Sequence, residues 1–327
     1  MSIVNVSRRA LLAVVAALGV APVHAQAPAW PASGPIRLVV PFTPGSATDV
    51  IARALAEQLG PRLGQTIVVE NRTGAGGTVG AAQVARAPAD GYTLLVHSSG
   101  HVVNPALYPK LPYDTLADFV GITTLATLPN VLVTAPAHGH KDVADLVAKV
   151  RSAPDRFSYA SAGNGSATHI NAERFRLAAG LRATHVPYRG TPEAITDTMA
   201  ARTDWFFAPL VSALPLIQSG RLQALAVGTA QRSPVLPDLP SIAEAGFPDA
   251  AYTFWVGLFA PAKTPPAVVA RMHAETVQVL AQPALRERLA KLGAEPLPMP
   301  RAEFAALLRQ ETEAAARLVR DAGIRVE

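Results

Sequence analysis

Residues 36–42 read IRLVVPF, apolar except for Arg37, and they constrain the fold more than any other stretch. A strand with one face in water alternates apolar and polar residues, whereas a near-continuous apolar run is a strand covered on both faces. A turn, Thr43-Pro44-Gly45-Ser46, follows. Residues 49–59 then place Val50, Ile51, Ala54, Leu55 and Leu59 on one helical stripe, which Gly60-Pro61 stops. Residues 66–70 (TIVVE) and 92–96 (YTLLV) read as further strands, with a small-residue helix at 79–86 between them. This alternation predicts an α/β fold with a parallel, doubly wound sheet.

A second unit of the same type follows residues 123–128. Strands are expected at 131–135, 157–160, 184–188, 204–207 and 222–227, and helices at 143–151, 168–179 and 192–201. Beyond Phe247 the pattern changes to one strand at 254–260 and then helices at 266–282, 283–292 and 301–322. A helical tail needs a sheet to cover, which places it back on the first unit. The expected organisation is a discontinuous domain 1, residues 26–124 plus 252–327, with domain 2, residues 125–251, inserted.

Residues 1–25 fit neither unit. Arg8 and Arg9, an apolar run from Ala10 to Val20, and Val23-His24-Ala25 before Gln26 have the order of a signal peptide cleaved near Ala25. The apolar run is shorter than the roughly 20 residues that span a membrane. Ser7-Arg8-Arg9-Ala10-Leu11-Leu12 partly matches a twin-arginine signal but lacks the later basic residue, so the general secretory route is expected. The mature chain is then expected in the periplasm. The formal charge of +5 loses Arg8 and Arg9 with the leader and becomes a scattered +3. That gives no basic stripe for nucleic acid. The absence of cysteine excludes disulfides, thiolate metal sites, Fe–S clusters and a cysteine nucleophile.

Chemistry is expected at the carboxyl ends of the strands, where open α/β sheets bind ligands. The first such loop, Phe42-Thr43-Pro44-Gly45-Ser46-Ala47-Thr48-Asp49, opens a helix whose first N–H groups have no intrahelical partner and carry partial positive charge. Gly45 allows close approach, and Thr43, Ser46 and Thr48 add hydroxyls. The arrangement recurs at Ser161-Ala162-Gly163-Asn164-Gly165-Ser166-Ala167-Thr168-His169 and at His185-Val186-Pro187-Tyr188-Arg189-Gly190-Thr191-Pro192, where Arg189 offers a fork for a carboxylate. Helix capping by Ser46, Thr48 or Ser166 is the alternative reading of each loop taken alone. Together the loops describe a cleft that holds a small anion with backbone and hydroxyl donors.

Other motifs carry less. Gly74-Ala75-Gly76-Gly77-Thr78-Val79-Gly80 has Val79 where a dinucleotide loop needs its third glycine. Ser166 and His169 lack a nucleophile elbow and an orienting acid. His97 and His101 lack the acid of a zinc helix, and His138 and His140 fall in a loop. Neither cofactor nor metal is expected.

At these loops the chain closely resembles the Bug family, exported solute-binding receptors of tripartite tricarboxylate transporters. The resemblance rests on VPFTPGSATDVIARALAEQLGPRLGQTIVVENRTGAGGTVGAAQVARAPADGYTLL, NPALYPKLPYD, YASAGNGSATHINAERF, HVPYRGTPEAITD, LPLIQSGRLQALAV, RSPVLPDLPSIAEAGF and FWVGLFAPAKTP, in family order. It implies a two-domain periplasmic binding protein of the type II kind, each domain a mainly parallel sheet flanked by helices, with the ligand cleft between them. It also implies a non-enzymatic receptor that closes on a carboxylate and delivers it to membrane transporter subunits, acting as a monomer. A signalling subunit for a membrane kinase is the alternative, and an exported serine hydrolase using Ser166 and His169 a more distant one. Carried over, the ligand contacts are Phe42, Thr43, Gly45, Ser46, Ala47 and Thr48 from the first loop and Ser98, His101 and Asn104 from the third. The other domain supplies Ser161, Gly163, Gly165, Ser166, Thr168, His169, Tyr188 and Arg189. Ser46 stands where many members have glycine. Ala208 and Pro209 stand where amino-acid-binding members tend to have an acid, and an ammonium without a counter-charge is costly to bury. A di- or tricarboxylate or an aromatic acid is therefore expected rather than an amino acid.

Overall fold

The structure is a computed structural model that describes residues 30–321 and 323–324; the expected signal peptide lies outside them. The apolar run forms β1 (Ile36–Val40), in which Leu38, Val39 and Val40 are all buried. Flanking it in parallel are β2 (Ile67–Asn71) and β3 (Thr93–Ser98). The intervening chain supplies α1 (Ala47–Leu63) and α2 (Thr78–Ala85), and α3 (Gly100–Leu107) follows β3. No helix was expected at α3; the Ser98-Ser99-Gly100 triplet begins it rather than breaking a longer one.

The sheet then changes direction. A long strand, β4 (Phe119–Thr134), pairs antiparallel with β9 (Thr253–Pro261), which itself lies antiparallel to β3. Past Asn130, β4 pairs antiparallel with β7 (Trp205–Pro209) and β8 (Gln223–Val227). Beyond β7 the arrangement is parallel again, through β5 (Ser158–Ser161) and β6 (Thr184–Pro187). Strand order is β2-β1-β3-β9-β4-β7-β5-β6. Two parallel half-sheets are thus joined by antiparallel linking strands. By sequence pattern a strand is expected only from residue 131, yet β4 runs unbroken through Pro129. Pro129 falls where the β9 ladder ends, opposite Thr253, and Asn130 begins the β7 ladder opposite Pro209. A residue without an N–H is tolerated where the pairing partner changes.

Each half has its own core. In the first, Leu38, Val40 and Leu55 pack with Val269, Met272 and Val279 of α8 (Pro266–Leu280) and Leu285 and Leu289 of α9 (Pro283–Lys291). In the second, Trp205 and Phe207 meet Tyr159, Leu146 and Val147 of α4 (Val143–Ser152), and Phe175 of α5 (Ala167–Ala178). Burying each such large side chain contributes roughly 1.5–3 kcal/mol. Two helices complete the second half, α6 (Thr191–Met199) and α7 (Leu210–Gln218). The last helix, α10 (Arg301–Asp321), sets Phe304 and Leu308 against Trp255 and Phe259, and its Ala315 and Val319 meet both Val103 of α3 and Ile170 of α5. A groove of about 690 Å³ runs beside Leu128, Pro129 and Thr253, walled by Gln231 and Arg232 on one side and Arg286 and Ala290 on the other.

Candidate anion-binding site

Four helices begin around one point between the half-sheets: α1 after β1, α5 after β5, α6 after β6 and α7 after β7. The cavity there is lined by Phe42, Ser46, Ala47, Thr48, Ser98, Ala162, Ser166, Ala167, Thr168, Thr191, Pro209 and Phe254. Its volume is about 20 Å³, near the minimum that admits one water, so the halves are drawn nearly together. Six lining residues carry hydroxyls and none carries a charge.

Donors at these helix starts are partly committed. The N-cap of α1, Ser46, does not cap its own helix; its Oγ accepts from the Thr191 amide of α6 across the cleft, at 3.1 Å. The amides of Ala47, Thr48 and Asp49 consequently find no acceptor among the described residues. On α5, Ser166 Oγ accepts from the His169 amide at 3.3 Å, which leaves the Ala167 and Thr168 amides without an acceptor among the described residues. Thr48 is 3% exposed and its Oγ1 has no hydrogen-bond partner. A buried hydroxyl in that state costs stability unless a guest accepts its proton.

The first loop is held by Asp49. Its carboxylate accepts from the Gly45 amide at 2.9 Å, from Asn71 Nδ2 at 2.8 Å and from Arg53. Burial pushes this carboxyl up, but the Arg53, Gly45 and Asn71 bonds outweigh it and the net shift is downward. The second loop is held by two neutral histidines. Gly165 donates to His169 Nδ1 at 3.1 Å, and Ser161 Oγ, accepting from the Gly163 amide, lies 2.6 Å from His185 Nε2. The rings of His169 and His185 stack at 4.0 Å. Burial lowers His169 to about 4, helped by Arg176, and lowers His185 to about 3, helped by His169.

Two further bonds cross the cleft, from Thr43 Oγ1 to Glu193 Oε2 at 2.9 Å and from Ser212 Oγ to the Gly45 carbonyl at 3.1 Å. Glycines allow the halves to approach: a Cβ at Gly190 would lie 2.0 Å from Thr43 Oγ1, and one at Gly76 would lie 1.9 Å from the Asn164 carbonyl oxygen.

Of the residues expected at the site, Phe42, Ser46, Ala47, Thr48, Ser98, Ser166 and Thr168 line the cavity. Thr43, Gly45, Ser161, Gly163, Gly165 and His169 brace the loops behind it. Tyr188 turns its hydroxyl to Asp197 Oδ2, 2.7 Å away, and Arg189 is exposed. His101 is fully buried among Tyr113, Phe119 and Phe259, away from the lining, because a neutral imidazole packs as an aromatic ring there. Asn104, also fully buried, donates to Tyr113 OH, and Ala208 is buried opposite Val131 in β7. Ala162, Ala167, Thr191, Pro209 and Phe254 complete the lining without having been expected. Ser166 and His169 do not form a nucleophile–base pair: the serine accepts from the histidine's backbone amide, and the imidazole Nδ1 accepts from Gly165.

A family profile described as "Tripartite tricarboxylate transporter family receptor" (TctC) matches residues 51–324. The chain belongs to this family. TctC members are substrate-binding receptors rather than enzymes. The chain is 34% identical to the protein BugT of Bordetella pertussis over 295 residues, covering 90% of each chain. It is similar to the solved structure of MatC from Rhodopseudomonas palustris with bound malate, at a TM-score of 0.84 and 34% identity over 88% of this chain and 99% of that one. It is also similar to an R. palustris protein with adipate, at a TM-score of 0.87 and 33% identity over 90% of this chain and 99% of that one. The α/β fold of this TctC receptor is that of periplasmic binding proteins.

Proposed function

We propose that this chain is a periplasmic receptor that captures a small organic carboxylate by closure of two lobes and hands it to a tripartite tricarboxylate-type membrane transporter. The observation that carries this reading is the unpartnered Thr48 hydroxyl beside unpartnered amides of α1, facing the start of α5 across a cavity with no charged lining. Such donors suit an anion. The similar structures of MatC with bound malate and of the R. palustris protein with adipate are in keeping with it. The lobes run as residues 26–124 plus 252–327 and residues 125–251, with β4 and β9 as the linking strands. Cleavage near Ala25 releases the mature chain. The lining contains no acid to balance an ammonium, so a plain carboxylate is favoured over an amino acid.

Thermal melting against a panel of carboxylates and amino acids tests the reading. Carboxylates are expected to raise the melting temperature without being consumed. Stabilisation by aspartate or glutamate, with none by plain carboxylates, would overturn the choice of a ligand without an amino group, and stabilisation by no member of the panel would overturn the receptor reading. Neighbouring genes separate transport from signalling: multi-span membrane subunits fit the first, a sensor kinase the second.

A further inference from the structure

We infer that a groove between the start of α10 and the start of β4 is a second binding site, for an amphiphilic organic anion: an acid group on an apolar chain. The inference stands apart from the receptor reading, since this groove shares no lining residue with the anion cleft. It holds about 610 Å³, within the roughly 300–1,000 Å³ of small-molecule sites. All its walls belong to the first half, so its shape does not depend on closure.

α10 contributes Arg301, Ala302, Ala305, Leu308 and Arg309, the spacing of one helix face. An arginine stands at each end of that face, about 12 Å apart at 1.5 Å per residue. Neither guanidinium makes a hydrogen bond or ion pair among the described residues, and Arg301 Nε is itself buried. A buried donor of a permanently charged group calls for a partner. No Asp or Glu lines the groove. Asp114 Oδ1 is taken by the Leu116 and Ala117 amides, and Asp118 Oδ2 by the Asp114 amide. Glu303 lies two residues from Arg301 and projects from another side of the helix. As an acid in the first turn it answers the α10 start, so the charge offered to a ligand is that of the arginines. Glu313, one turn beyond Arg309, forms no ion pair among the described residues.

The opposite wall is Phe119, Val120 and Gly121 of β4, with Thr115 and Leu116 from the turn before it. A Cβ at Gly121 would lie 2.7 Å from the Phe304 ring, so the glycine lets α10 seat directly on the strand. The short side chains of Ala302 and Ala305 leave the space above that contact open. Leu116 is 42% exposed at the rim. An apolar chain lying along Ala305 and Leu308 removes this surface from water. An inorganic anion would leave the apolar wall uncovered, and a neutral chain would leave Arg301 unanswered, so the ligand needs both parts.

Nuclear magnetic resonance titration of the isotope-labelled protein tests this, with octanoate as the probe. Acetate carries the charge without the chain, and octylamine the chain with the opposite charge. Octanoate is expected to shift the Arg301 Nε–H signal and the Gly121 and Ala305 amides, at concentrations about tenfold or more below acetate. Octylamine is expected to shift none of them. Arg301→Gln removes the charge and is expected to weaken octanoate at the groove about threefold or more. Ala305→Phe fills the groove and is expected to weaken it about tenfold. Both variants should keep carboxylate binding at the cleft, read from the Thr48 amide. Equal response to octylamine, or unchanged octanoate binding at the groove in either variant when it melts like the parent, would overturn the inference. Groove signals that stay still while Thr48 responds to carboxylates would overturn it alone, leaving the receptor reading intact. Groove signals that respond while Thr48 ignores every carboxylate would support this inference and overturn that reading.

Discussion

Thr48 separates binding from stability more cleanly than any other residue of the site. Its hydroxyl is buried and makes no bond within the protein, so it contributes to folding only as a penalty. Replacing it by the isosteric valine removes that penalty and one donor to the ligand. Thr48→Val is expected to weaken carboxylate affinity about tenfold, from the roughly 1.5 kcal/mol of a hydrogen bond to a charged group. Its melting temperature should stay the same or rise; titration calorimetry and thermal melting check the two halves of this prediction. The strand–turn–helix grammar of the sequence points to Ser46, Thr48 and Ser166, because hydroxyls and glycines at the ends of buried strands have few structural uses. It says nothing of Phe254, which reaches the cavity from a strand more than 200 residues away. The family resemblance, rather than that grammar, puts His101 at the cleft, whereas its ring packs on Phe259. Only the tertiary contacts decide where such a ring lies.

Two loops of the second half depend on histidines that must stay neutral. His169 and His185 are held near 4 and 3, and His97, beneath Phe42 in the other half, is also near 3, all principally through burial. In the unfolded chain each titrates near 6.5. Between these values the unfolded state binds more protons than the folded one, so stability is full above about pH 6.5 and falls as pH drops toward about 4. Each histidine adds a slope of about 1.4 kcal/mol per pH unit in that window. His169→Asn supplies an amide oxygen where Nδ1 accepts from Gly165 and no longer titrates. Denaturant unfolding between pH 5 and 6 should show about one histidine less of slope in this variant. At the level of elements, the alternation of strands and helices is legible because continuous apolar runs such as IRLVV and helical stripes such as Ile51, Leu55 and Leu59 have different periods. The continuity of β4 is not. Pro129-Asn130 carries a local signal for a break, and only the handover from β9 to β7 makes the proline harmless.

At the scale of the whole molecule, close approach of the two halves depends on the missing side chain at Gly190. An alanine methyl would lie 2.0 Å from Thr43 Oγ1 and 2.8 Å from Ser46 Oγ, and so would hold the halves apart. The backbone there is extended, with φ −177°, so alanine itself is not strained. Gly190→Ala is expected to leave the unliganded melting temperature nearly unchanged and to weaken carboxylate affinity about tenfold or more, since the ligand loses contacts to one lobe. Calorimetry together with solution scattering reads both effects. The groove beside the linking strands has a different consequence. Its walls belong to opposite halves, with Gln231 on one and Arg286 on the other, both exposed, and the chain has no native thiol. Cysteines introduced at these two positions would be the only attachment points for a pair of spin labels. Their separation would then serve as a spectroscopic ruler for the rotation, read from outside the anion site and without perturbing it.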